Sequence, residues 1–170
     1  NGQGAIISSS SEEQRLAFYD GTKVNLTGDT LVHAPNRRFG YWPDSNYSDV
    51  ALALNGHTLS KSGIAMFSIV SAAVDPGDDG GIDLIEGSFM LALETDMRGS
   101  STNCFTVHGA GTNQIFRLQY PVLWHLVMKD GAHLQVNDNT IPYNEWAGPV
   151  TLEGNANIIG NSINFGLLLS

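Results

Sequence analysis

The chain has one cysteine, Cys104, in 170 residues. No internal disulfide can form, so burial and hydrogen bonds must hold the fold. Within Cys104-Phe105-Thr106-Val107 the thiol is expected to pack as a small apolar side chain. A secreted chain without disulfides fits a bacterial source better than an animal one. Lysine and arginine number only 8 against 17 acidic residues, a net charge of −9. Nucleic acid is excluded as a partner, because phosphate binding needs clustered basic residues, and an anionic membrane surface is disfavoured for the same reason. Charged residues make up 15%, well short of the usual quarter or so. The most apolar stretch, residues 63–74, is broken by Ser68 and Ser71. It falls below the roughly 20 residues that a membrane helix needs. Helix signals are nearly absent; only Ser10–Leu16 resembles a cap followed by a turn of helix. The opening Asn1-Gly2-Gln3-Gly4 has neither Met nor a basic segment, so a removed leader or an excised piece is expected.

What is present is polarity carried by Asn, Ser, Thr and Gly, a surface common among extracellular β proteins. Short runs rich in Val, Ile, Leu, Phe and Thr alternate with turn formers. They predict strands near 23–27, 30–33, 49–54, 57–61, 64–70, 82–86, 88–94, 103–108, 114–119, 122–128, 132–137, 149–153, 156–159 and 162–169. An all-β chain follows, read as one domain over residues 1–170 that forms a fragment or subunit of a larger assembly.

One pattern recurs: a strand, a polar residue, a glycine, two residues, then usually an apolar one. Its glycines are Gly28, Gly56, Gly87, Gly131 and Gly154. Glycine admits the positive φ that a strand needs to turn a corner. Periods of about 20–50 residues point to stacked coils, each burying its face on the next. A right-handed parallel β-helix is therefore the favoured fold, with a β-sandwich or jelly roll as the alternative. The segment Leu54-Asn55-Gly56-His57-Thr58-Leu59-Ser60-Lys61-Ser62-Gly63 resembles the strand repeat of bacterial autotransporter-associated β-helix proteins. Residues 148–160 are similar to other coils of that family. The two segments cover a small part of the chain. The resemblance implies a secreted or surface-exposed stalk without catalysis in its coils.

Residues 33–49 read as a loop holding aromatics and a basic pair. Aromatic faces stack on sugars, and guanidinium groups bond hydroxyls. The glycan-binding candidates are Arg37, Arg38, Tyr41, Trp42 and Tyr47, extended by Tyr143 and Trp146 of a second aromatic loop. The alternative for these side chains is packing against the coil. Asp75, Asp78, Asp79 and Asp83 lie on a glycine-rich turn that suits Ca²⁺, or forms a solvated acidic loop. Glu94 and Asp96, with Arg98, have the composition of a glycosidase or lyase site, or of a local ion pair. The five histidines lack zinc spacing, and no phosphate loop or nucleophile elbow occurs. No catalytic residue is assigned. The expected function is a non-catalytic, extracellular structural or adhesive module that presents binding loops. The alternatives are a polysaccharide lyase or hydrolase fragment, a carbohydrate-binding β-sandwich, and a subunit that self-associates through strand edges or ends. No membrane span is expected.

Overall fold

Apolar residues at every second position give a strand one inward face. In residues 81–84 Ile82 and Leu84 are buried and Asp83 is not; in 104–107 Phe105 and Val107 are buried and Cys104 and Thr106 are not. A computed structural model describes residues 4–7, 23–36, 38–41, 51–116, 120–136, 143–160 and 166–169. Among them are seventeen strands and no helix. The strands are β1 (Gly4–Ile7), β2 (Lys23–Asn25), β3 (Thr30–His33), β4 (Phe39–Tyr41), β5 (Ala51–Ala53), β6 (Thr58–Ser62), β7 (Met66–Val70), β8 (Ala73–Asp75) and β9 (Gly81–Ala92). There follow β10 (Asp96–Met97), β11 (Cys104–Phe116), β12 (His125–Met128), β13 (His133–Val136), β14 (Tyr143–Trp146), β15 (Val150–Leu152), β16 (Asn157–Gly160) and β17 (Gly166–Leu169).

Every strand pair among the described residues is parallel. A sandwich built from antiparallel hairpins would not pair in this way, so that alternative falls. The strands form three faces. The first comprises β2, β5, β8 and β10, continued by Val122, bridged to Trp146, and by β14 and β17. The second runs β1-β3-β6-β9-β11-β12-β15. The third is β4, β7, the later halves of β9 and β11, then β13 and β16. The chain visits the faces in that order and returns to the first, each rung stacking on the one before. On the second face Leu59 pairs with Ile82, Ile82 with Phe105, Phe105 with Leu126 and Leu126 with Val150. The chain is a parallel β-solenoid.

The inward side chains merge into one core along the axis. Phe67, Phe89, Phe105 and Trp146 make successive edge-to-face contacts, with centroids 5.3, 5.2 and 6.0 Å apart, a geometry that the ring quadrupoles favour. A smaller cluster of Val70, Met90 and Ala92, with Met66 and Leu93 packed against it, is buried separately.

The glycine pattern marks two different corners rather than one. Gly28 and Gly56 lie between the first and second faces, whereas Gly87, Gly131 and Gly154 lie between the second and third. Residues two before the glycine are therefore not equivalent: Leu26 and Leu54 are buried, while Ile85 is 42% exposed. Gly109-Ala110-Gly111, which reads as a turn, lies inside β11, where the register against β9 shifts between Val107 and Ala110. Tyr143–Trp146, which reads as a loop, is strand β14. The short helix expected at Ser10–Leu16 lies outside the described residues.

Candidate functional sites

Of the glycan-binding candidates, Arg37, Trp42 and Tyr47 lie outside the described residues. Tyr41 ends β4 and Tyr143 begins β14. Arg38 is half-buried, and its Nε donates to Ser68 Oγ at 3.4 Å on the third face. Trp146 is fully buried. Its ring packs on Phe105, and its indole N–H donates to the Trp124 carbonyl at 2.7 Å. This tryptophan serves the core and offers no face to a sugar. Trp124 is likewise buried and donates its indole N–H to the Arg98 carbonyl of the preceding rung.

The acidic turn does not gather its carboxylates. Asp78 and Asp79 are exposed, and Asp75 Oδ1 accepts from its own turn at Gly77 N, 3.2 Å. Asp83 belongs to the outer side of the second face and pairs there with His108, Nε2 to Oδ1 at 2.7 Å. No group of three or more His, Cys, Asp or Glu among the described residues is placed to hold a metal ion. The turn is held from inside by Asn103, which is 2% exposed. Its Nδ2 donates to the carbonyls of Gly77 and Gly80 at 3.2 and 3.1 Å, while its Oδ1 accepts from Ser100 N at 3.0 Å. A buried amide thus does the ordering that the sequence suggests for Ca²⁺.

Glu94 lies in the turn after β9, not on a strand shared with Asp96. Between them Thr95 is buried, its hydroxyl donating to the Ala92 and Ile69 carbonyls at 2.6 and 3.0 Å. Asp96 Oδ2 takes the Arg98 Nε at 3.2 Å. This exposed ion pair contributes little to stability.

The outer side of the second face carries polar pairs that join neighbouring rungs. His33 Nδ1 meets Ser62 Oγ at 2.8 Å, and His125 Nε2 meets Thr151 Oγ1 at 2.8 Å. Lys129 Nζ donates to Glu153 Oε2 at 2.6 Å, another link between successive rungs. Cys104 lies on this side too, half-buried rather than in the core. Corners are stapled as well: Thr58 N donates to Asp29 Oδ1 at 2.9 Å, and Asn155 N to Asp130 Oδ1 at 2.7 Å. These contacts reach one rung up or down, and this is structural work.

Lys61 escapes any search for surface chemistry. It is fully buried on β6, in a column otherwise held by Val32, Leu84, Val107 and Met128. Burial pulls its amine down from 10.5 to about 8, against the opposing pull of Glu86. The signal lies in the alternation: Leu59 faces inward, so Lys61 must too. No described helix is long and apolar enough to cross a membrane. No family model, curated protein or solved structure matches the chain.

Proposed function

We propose that this chain is a non-catalytic extracellular structural or adhesive module, a rigid β-solenoid that carries binding loops on its outside. The supporting observation is the use made of its polar side chains. His33, Asp83, Asn103, His108, His125, Lys129 and Asp130 are all engaged with neighbouring rungs or turns. Among the described residues none joins a convergent cluster of metal ligands. Rigid scaffolds with variable loops place recognition on the loops, and the low-charge, Ser/Thr/Asn-rich surface suits an extracellular setting. The aromatic stretch within residues 33–49 is the proposed recognition segment, with a glycan as its ligand. The test is a glycan array probed with the 170-residue chain and with the Tyr41→Ala/Trp42→Ala double variant. Lost binding with an unchanged unfolding midpoint supports the reading. Binding that survives the double substitution removes the segment from that role.

One observation favours a second reading, association between chains. Leu152, Ile158 and Ile159 are exposed on β15 and β16, strands that each pair along one edge among the described residues. A parallel edge with apolar side chains invites strand addition. Sedimentation across a broad concentration range decides it: a rising mass supports association, and a constant single-chain mass dismisses it.

A further inference from the structure

The column Val32–Lys61–Leu84–Val107–Met128 runs through the core of the second face, and its single polar member sits between the rungs of β3 and β9. Lys61 Nζ donates to the carbonyl of Gly63 in its own corner and to that of Glu86 in the next rung, the latter at 2.7 Å. Glu86 closes the arrangement, its Oε2 accepting from Gly63 N at 3.1 Å. Gly87 follows, at φ 75°, and a Cβ there would lie 2.5 Å from Lys61 Nζ and 2.2 Å from the Gly63 carbonyl oxygen. The corner is therefore closed over the amine by backbone. Glu86 is the charged group that acts on the amine in this corner.

Apolar columns and parallel ladders carry no address. Val32, Leu84, Val107 and Met128 would each stack on several neighbours with similar gain, and a parallel backbone edge accepts any strand of suitable length. Degenerate rungs therefore face a specific hazard: a rung paired with the wrong neighbour, or with a rung of another chain. A buried ammonium removes that degeneracy, because it must find acceptors where water is excluded. Its acceptors come together only where the corner at Glu86 lies over the corner at Gly63. We propose that Lys61, Gly63 and Glu86 form a rung-order lock, fixing β6 against β9 and rejecting other pairings. The outer pairs cannot do this as well, since His33–Ser62 and Lys129–Glu153 stand near water, which replaces a lost partner.

The experiment refolds the whole 170-residue chain from denaturant at matched concentrations, as wild type, Lys61→Met, Glu86→Ala and Glu86→Gln. The readouts are light scattering after size exclusion and amide peak counts by two-dimensional NMR. Methionine already fills the same column at Met128, so Lys61→Met keeps the core volume. The expected result is a several-fold rise in doubled peaks or higher-mass species for Lys61→Met. A smaller rise is expected for Glu86→Ala, and Glu86→Gln should behave as wild type because it keeps an acceptor for Gly63 N. Should Lys61→Met not fold, the two Glu86 variants decide alone. A single monomeric species with wild-type peak counts in every folded variant overturns the lock.

Discussion

A single buried side chain tells more about this molecule than its exposed charges do. The lowered pKa of Lys61 implies a pH dependence whose sign follows from proton counting. Between about 8 and 10.5 the unfolded chain holds a proton that the native amine has shed. Stability therefore rises with pH across that window, and the gain is complete above it. Urea unfolding at the two ends of that window should show this rise, and Lys61→Met should flatten it. Asn103 makes a second prediction. Asn103→Ala strips the hydrogen bonds of a buried amide from the acidic turn and should cost about 2 kcal/mol. Adding EDTA to the wild type should leave its melting temperature unchanged; a drop on chelation would restore the cation to the acidic turn. Legibility at this scale is uneven. The inward direction of Lys61 can be read from Leu59, but its partner Glu86 lies 25 positions away, and no local pattern links them. Asn103 looks like one more polar turn residue because burial is set by rungs that the sequence does not show. Trp146 misleads for the same reason: beside Tyr143 it reads as a loop aromatic, whereas its place at the end of β14 puts it inward onto Phe105.

Strands and corners divide differently. Strands that send two apolar side chains inward between polar ones, such as β13 and the first half of β9, announce themselves through alternation. β8 and β10 do not: Ala73-Val74-Asp75 sends one apolar side chain inward and Asp96-Met97 another. Parallel pairing with neighbours, rather than local propensity, makes them strands. The glycine corners are legible as corners, but their two kinds look alike, since both need a change of direction at a strand end and both use glycine. One glycine of each kind differs sharply in its surroundings. Gly56 has φ 79° and nothing within 4 Å of the place a Cβ would take, whereas a Cβ at Gly87 would strike the Gly63 carbonyl. Gly56→Ala should then cost about 1 kcal/mol, from backbone strain alone. Gly87→Ala should cost about 3 kcal/mol, adding the displaced corner. Thermal unfolding of the pair checks this, and equal losses would mean that the two corners are packed alike.

For the whole molecule, stacking makes stability nearly one-dimensional, because each rung touches only those above and below it. The fold class is within reach of the sequence because corner glycines recur at coil-like distances. The order of the faces is not, since nothing local says which strands share a ladder. Interior rungs are buried from two sides and end rungs from fewer, a difference visible in the buried Leu126 and Met128 against the exposed Leu152 and Ile158. Local opening should follow that gradient. Native-state hydrogen exchange, resolved by residue, tests the stacked solenoid most directly. Amides paired within β6, β9, β11 and β12 should exchange slowest, with protection falling through β15 and β16. Fast exchange at the central strands, or protection that peaks at β15 and β16, would contradict a single core shared by stacked rungs.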